Sequence, residues 1–303
     1  MDKPTVGFIG LGVMGGAMSK NILRANFPLC VYDIRKEAMK DLVALGAKAT
    51  TSPKEVAEKS AIIMTSLPTP SNVKDVCLGE KGILQGAKKG SILVEFSTID
   101  PATMQEIAEV AKQKDVGVLA APVGGTKNDA EAGSLLFWVS GNSSSLKQCE
   151  GVLSVLGRTM YCGEDPGTGK TVKLINNLMA IGNLVTAIEA FTLGVKMGLK
   201  PRFLFEVLSK AGGSSSSFLN RFPKVMDGDF GQVSFSAALA TKDSKLALSM
   251  ANDNQVPMPV ASAVFQMCLK TLASGYGNDD LTSVARLYEA WAGVSSKSSP
   301  EDK

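Results

Sequence analysis

Lys173, Asn176 and Asn177 are the residues of this chain best suited to chemistry, and they stand together in GTGKTVKLINN. The i, i+3 and i+4 spacing places all three on one face of a helix. A lysine beside two carboxamides offers one titratable donor and several fixed hydrogen-bonding groups. That is enough to hold a small polar molecule and to move one proton. The sequence contains no histidine, which excludes a His–Asp hydride-transfer dyad, a Ser–His–Asp triad and a His-ligated zinc site. A general acid or base must therefore be Lys, Asp, Glu, Tyr or Cys, and no metal site is expected.

The element that must carry this group runs through residues 163–199. A glycine-rich turn opens it, and Val172, Ile175, Met179, Leu184, Ile188 and Phe191 keep an apolar helical spacing. The spacing predicts one helix of about 27 residues, ~40 Å long, which suits a helix that joins two domains. It is neither uniformly apolar nor uncharged, and no apolar run is expected to reach membrane length. A second constellation lies at the start of the chain. The β-rich run Thr5–Ile9 leads into Gly10-Leu11-Gly12-Val13-Met14-Gly15, then a helical pattern, then the strand pattern Leu29–Tyr32 ending in Asp33. Strand, GxGxxG, helix, strand and acid in that order form a dinucleotide-binding fingerprint. The first glycine allows the turn, the second admits a pyrophosphate, and the third lets the helix pack on the strand. Asp33 would accept hydrogen bonds from both ribose hydroxyls and repel a 2′-phosphate, so NAD is favoured over NADP, although Arg35 lies close by.

The βα rhythm continues. Ala61–Leu67 reads as a strand running into Leu67-Pro68-Thr69-Pro70, from which Asn72 either reaches a cofactor or caps a helix. Ser91–Phe96 ends at Ser97-Thr98, and Val116–Ala121 runs into Pro122-Val123-Gly124-Gly125-Thr126. Adjacent glycines at a strand end expose backbone N–H groups suited to an anion. Leu135–Val139 and Thr159–Cys162 complete the sheet. After Gly198 there is no convincing strand: Pro201–Ala211, Phe235–Asn252 (carrying Lys242-Asp243), Ala261–Ser274 and Leu281–Trp291 read as helices, and Ala211–Ser217 as a flexible turn. The fold class is thus α/β: a Rossmann-type dinucleotide-binding domain (1–164), a linking helix (165–195), an all-α domain for substrate and oligomerisation (196–294) and a disordered tail (295–303). A homodimer or homotetramer would bury the apolar faces of the last helices.

Composition limits the partners. The chain has 303 residues, is 45% hydrophobic and 20% charged, and carries a net charge of +3, so neither nucleic acid nor a membrane is implied. Five scattered cysteines without a CxxC pair read as reduced thiols of a cytoplasmic protein. Asp165-Pro166-Gly167-Thr168-Gly169-Lys170-Thr171 mimics the end of a phosphate-binding P-loop, but Glu164 stands where that motif needs its first glycine.

GFIGLGVMGGAM, SLP, STIDPAT, APVGGT and GxGxxxKxxNN in one order resemble the β-hydroxyacid dehydrogenase family, over about residues 4–292. The resemblance implies that Gly10, Gly12, Gly15, Asp33, Leu67, Pro68, Asn72 and Thr98 hold the cofactor. It also implies that Lys173 is the catalytic lysine, that Asn177 holds the substrate, and that Lys242 of TKDSKLAL lies near both ligands. Asn176 and the backbone from Gly124 to Thr126 are expected to bind substrate as well. The family usually has DAPVSGG, whose serine holds a substrate carboxylate; here that serine is Gly124. The segment is similar to the sulfolactaldehyde reductase branch, which carries an arginine where this chain has Gly125. The expected substrate is a small carboxylate-bearing semialdehyde or its hydroxyacid. A sulfonate substrate, or a dinucleotide-binding protein that has lost catalysis, are the alternatives.

Overall fold

Strands and helices largely alternate from Val6 to Tyr161 in the computed structural model, which describes residues 3–298. The order is β1 (Val6–Ile9), α1 (Val13–Arg24), β2 (Leu29–Tyr32), α2 (Glu37–Ala44), β3 (Lys48–Ala49), α3 (Pro53–Lys59), β4 (Ile62–Thr65), α4 (Pro70–Leu78), β5 (Ile92–Glu95), α5 (Pro101–Lys112), β6 (Gly117–Ala120), β7 (Val123–Gly124), α6 (Lys127–Ala132), β8 (Leu135–Gly141), α7 (Ser143–Leu156) and β9 (Gly157–Tyr161). Three helices start where proline at N1 meets a side-chain cap. Ser52, Thr69 and Asp100 accept the backbone N–H of Glu55, Asn72 and Thr103, which satisfies donors that a helix start otherwise leaves open.

The sheet order is β3-β2-β1-β4-β5-β6-β8-β7, with β9 paired to β8. Pairing is parallel except where β8 meets β6 and β7. Strands β1, β4 and β5 are buried along their whole length, as expected of parallel strands covered on both faces. On one face Phe8 stacks on Phe96, and Phe96 meets Phe137 at a tilt, with centroids 6.1 and 5.3 Å apart. The two-residue strands β3 and β7 were not evident from periodicity, because two positions are too few to show one; the helix α7 was not assigned either.

The long helix α8 spans Gly167–Lys196, 30 residues. The chain divides into two compact units, Met1–Lys173 and Leu174–Lys303, and the division falls inside α8, immediately after Lys173. By length and composition α8 is long and apolar enough to cross a membrane, which corrects the expectation that no run reaches that length. Its Ile181, Leu184, Val185, Ile188 and Phe191 are buried in the core of the second unit.

That unit adds α9 (Pro201–Leu208), α10 (Ser216–Asp227), α11 (Ala237–Asp253), α12 (Pro259–Ala273) and α13 (Ala285–Ala292). Helix α10 contains Pro223 in its interior, a residue that ordinarily ends a helix, and sequence reading did not find it. Aromatic packing outweighs the lost hydrogen bond. Phe222 lies 4.4 Å from Phe191 and 4.8 Å from Phe218, and Phe218 lies 5.1 Å from Phe205. Helix α12 begins at Pro259 itself, as its first residue. Of the tail expected from Ser295, residues 295–298 are tied to this unit: Ser296 is buried and its N–H donates to Glu289 at 2.7 Å. Residues 299–303 lie outside the described residues.

Asp280 is the polar centre of the second unit and is fully buried. Its carboxylate accepts from the N–H and hydroxyl of Ser234 at 2.9 and 2.8 Å, from the N–H and hydroxyl of Thr282 at 3.2 and 3.0 Å, and from Lys224 at 3.2 Å. Burial alone would raise its pKa, but these bonds and the lysine outweigh burial and hold it at about 2. A carboxyl lowered on folding stabilises the fold above its unfolded pKa, near 4, and loses that contribution as pH falls toward 2. Asp280→Asn should therefore cost about 2 kcal/mol at neutral pH. It should also flatten the loss of stability between pH 4 and 2, read by urea unfolding across that range.

Candidate active site

The turn after β1 admits only glycine at two points. Gly10 has φ +87°, and a Cβ there would lie 2.2 Å from the Ser66 carbonyl oxygen; a Cβ on Gly15 would lie 1.9 Å from the Gly10 carbonyl oxygen. Gly12 is the opposite case, with nothing within 4 Å of a Cβ. It is also the N-cap of α1 and makes no side-chain cap bond. Open space before a helix N-terminus rich in N–H donors fits the pyrophosphate of a dinucleotide. Leu11 is buried, Met14 half-buried and Val13 exposed.

Asp33 follows β2 and is buried. Its Oδ2 accepts the Leu11 N–H at 2.8 Å, and its Oδ1 accepts the Arg35 N–H at 2.8 Å and Nε at 3.3 Å. Burial would raise its pKa, but the N–H bonds from Arg35 and Leu11 prevail and hold the carboxyl below its ordinary range. The ion is thus fixed in place and charged, with the Arg35 guanidinium folded onto it.

Strand order reverses beside β1, where β4 is its other neighbour, and such a switch point opens the crevice used by nucleotides. Its far wall is the Ser66-Leu67-Pro68 turn, in contact with Gly10. Leu67 N–H donates to the Ser97 hydroxyl at 2.7 Å, which ties this turn to the one holding Thr98. Asn72 is not the cap of α4. Thr69 is, and the Asn72 side chain closes back on the Thr69 hydroxyl at 2.7 Å.

Beneath these turns lies an ion pair that sequence reading missed. Lys170 and Glu95 are both fully buried. Lys170 Nζ donates to the Glu95 carboxylate and, at 2.8 Å each, to the carbonyls of Glu95 and Ser97. Glu95 Oε1 accepts the Ser97 N–H at 2.8 Å. The lysine of the P-loop lookalike is therefore committed to protein groups and unable to cradle a phosphate. The available signal was Glu95 itself, a single acid closing the apolar strand ILVE, because a charge in a covered strand needs a buried partner.

The head of α8 is set on β8. Gly169 N–H donates to the Ser140 hydroxyl at 2.8 Å, and a Cβ on Gly169 would lie 2.4 Å from the Trp138 carbonyl oxygen. One turn on, Lys173 Nζ lies 5.6 Å from the centroid of the Trp138 ring. The same indole crosses to β7, where a Cβ on Gly124 would lie 2.7 Å from its Cη2. The N-terminal unit thus gathers Lys173, Trp138 and Gly124, and Trp138 was not foreseen. Of the loop amides expected to hold an anion, that of Thr126 is committed: its N–H and hydroxyl both donate to Asp129, at 2.6 and 2.7 Å. Gly125 has φ +130°, and a Cβ there would lie 2.9 Å from Leu135 Cδ2.

In the second unit Asn177 is buried and Asn176 exposed. Asn177 Nδ2 donates to Asp243 at 2.7 Å, and its Oδ1 accepts from Asn176 at 3.2 Å. Lys242 Nζ lies 3.1 Å from the other Asp243 oxygen. Asp243, unremarked in the sequence beyond its neighbour, therefore joins Asn176, Asn177 and Lys242 in one group. No cluster of three or more His, Cys, Asp or Glu able to hold a metal is found among the described residues.

Residues 5–163 match the NAD binding domain of 6-phosphogluconate dehydrogenase, and residues 167–288 match the NAD-binding domain of NADP-dependent 3-hydroxyisobutyrate dehydrogenase. The chain belongs to the β-hydroxyacid dehydrogenase family. It is 36% identical to the 2-(hydroxymethyl)glutarate dehydrogenase of Eubacterium barkeri, over 96% of each chain. It is 31% identical to the 3-sulfolactaldehyde reductase of Escherichia coli, over 96% of this chain and 98% of that one. The Mycobacterium tuberculosis 3-hydroxyisobutyrate dehydrogenase, solved with L-serine, superposes with a TM-score of 0.87 at 27% identity, covering 94% and 99% of the two chains. As a β-hydroxyacid dehydrogenase the chain carries its dinucleotide-binding fold in the first unit, and its helical second unit is the family's other domain.

The buried pair makes a direct prediction. Lys170→Met leaves Glu95 charged and unpaired and should destabilise the first unit by about 3–5 kcal/mol. Lys170→Met combined with Glu95→Leu should recover most of that loss in chemical unfolding followed by circular dichroism.

Proposed function

We propose that this β-hydroxyacid dehydrogenase interconverts a small carboxylate-bearing semialdehyde, of the succinic or methylmalonic type, and the corresponding hydroxyacid, with NAD(H) and with Lys173 as general acid and base. The observation that carries the proposal is the placing of Lys173 against the Trp138 ring, beside the glycine loop, in the unit that holds the dinucleotide fingerprint. Gly10, Gly12, Gly15 and the start of α1 would hold the pyrophosphate, Asp33 the adenosine ribose, and Leu67, Pro68 and Thr98 the nicotinamide half. The bound cofactor supplies or accepts the hydride at the substrate carbon.

In reduction the Lys173 ammonium donates its proton to the carbonyl oxygen as that oxygen gains charge; in oxidation the neutral amine takes the hydroxyl proton. A protonated lysine polarises a carbonyl, so the step needs no metal-ligand set. Asn177, one turn along α8 and fixed by Asp243, would orient the substrate oxygen, with Asn176 and Lys242 beside it. The backbone at Gly124 and Gly125 would receive the far carboxylate. A carboxylate is favoured over a sulfonate because the arginine associated with sulfonates cannot take the place of Gly125 without leaving φ +130° and displacing Leu135. NAD is favoured over NADP because Asp33 is charged and Arg35 is bound to it. Exposed apolar side chains of the second unit, among them Met197, Phe203 and Trp291, support the homo-oligomer that the resemblance implies.

The test is NADH oxidation against succinic, methylmalonate and tartronate semialdehydes, sulfolactaldehyde and glyoxylate. Turnover should be greatest with the first two, and turnover confined to sulfolactaldehyde would refute the carboxylate assignment. Lys173→Ala should lower kcat by about 10²-fold or more with NADH binding, followed by fluorescence, nearly unchanged. Asp33→Ser removes the repelling charge and frees Arg35 for a 2′-phosphate, so the ratio of kcat/KM with NADPH to that with NADH should rise by about tenfold or more.

A further inference from the structure

We propose that Trp138 is a specificity-determining residue of the substrate site, and that it restricts the substrate to aldehyde acids bearing hydrogen or alkyl, not hydroxyl, on the carbon beside the carboxylate. The inference rests on the reading of Lys173 and the glycine loop given above.

Gly124 pairs with Leu136 across the β7–β8 ladder, so Trp138, two residues further along β8, is its diagonal neighbour on the same sheet face. The contact is tight. A Cβ on Gly124 would meet Cη2 and Cζ3 of the indole at 2.7 and 3.0 Å. Those atoms form the outer edge of the six-membered ring, so the indole occupies the room in which any side chain at 124 would begin. The serine usual in the family at this place could enter only if the indole moved aside. Gly124 is thus half of a matched pair, and its missing hydroxyl is replaced by an aromatic wall.

The two aspects of the ring have opposite electrostatic character. Its face, where charge is negative, is turned to the Lys173 ammonium at 5.6 Å. Its edge, where the C–H groups are positive, is turned to the backbone that would hold the carboxylate. The ring therefore complements both ends of a substrate stretched between lysine and glycine loop, and offers the carbon between them only hydrocarbon. A hydroxyl on that carbon would leave water for the six-membered ring of the indole, which has neither donor nor acceptor. An unpaired buried hydroxyl of this kind disfavours such a substrate by about 10- to 100-fold.

Methylmalonate and tartronate semialdehydes differ by a methyl and a hydroxyl on that carbon and are nearly equal in size. The experiment compares kcat/KM for the two with NADH in the native protein, Trp138→Met, Gly124→Ser and the double variant. The native protein should prefer the methyl compound by about 10-fold or more. Gly124→Ser alone should lose turnover with both, and the double variant should regain it with the preference reduced or reversed. Full activity of Gly124→Ser, or an unchanged preference in an active Trp138→Met protein, would overturn the role of the indole and leave the reading of Lys173 intact. Absence of turnover with every aldehyde would overturn that reading and this inference together.

A binding measurement covers the case in which the variants fail to fold. The chain has two tryptophans, so Trp291→Phe leaves Trp138 as the only indole. Its emission should change when 3-hydroxyisobutyrate is added in the presence of NADH, a pair between which no hydride can pass. An emission that stays constant in a protein that turns the substrate over would overturn the proposal.

Discussion

Two charges sealed away from water, Lys170 and Glu95, set the terms for the rest of the N-terminal unit. Burying either alone costs several kcal/mol, so the pair is tolerated only because every donor and acceptor is used. The ammonium has three donors, and the Glu95 carboxylate, the Glu95 carbonyl and the Ser97 carbonyl take them. The second carboxylate oxygen takes the Ser97 N–H. Ser97 is thereby fixed from both sides, and its hydroxyl is left to hold Leu67. One saturated ion pair thus fixes the strand ends of β4 and β5, the two turns proposed to face the nicotinamide, and the first turn of α8, one turn before Lys173.

The glycines of the unit do a complementary task. Gly10, Gly15 and Gly169 are places where backbone meets backbone too closely for a side chain, and each closes a joint of the scaffold: turn to turn, turn to helix, helix to strand. Gly12 faces open space instead. Gly124 belongs to neither class, because its neighbour is a side chain, Trp138. Backbone contacts of the first kind fix a fold, whereas a glycine matched to one aromatic side chain can be exchanged together with its partner. That difference marks Gly124 and Trp138 as a place where specificity can change without disturbing the architecture.

Much of this was legible beforehand, for physical reasons that can be named. Continuous apolar runs with acids, glycines and prolines at their ends disclosed β1, β2, β4, β5 and β6. The GxGxxG turn and Asp33 stood out as a dinucleotide fingerprint, and the long helix followed from uninterrupted apolar spacing. Other elements were hidden. Helix α10 carries a proline that local rules read as a stop, and only the cluster of Phe191, Phe205, Phe218 and Phe222 makes it worth keeping. Asn72 could be read as ligand or cap until Thr69 was seen to own the cap.

What the sequence by itself determined was the set of parts: an α/β unit with a dinucleotide turn, a helical unit, and a lysine with two asparagines on the helix between, because periodicity and turn chemistry are local properties of the chain. What only the tertiary structure decided was which distant residues meet. Lys170 found Glu95 across 75 residues, Asn177 found Asp243 across 66, and Lys173 found the face of Trp138. Pairing of that kind depends on strand order and on the seating of a helix, and neither leaves a periodic trace in the residues that become partners.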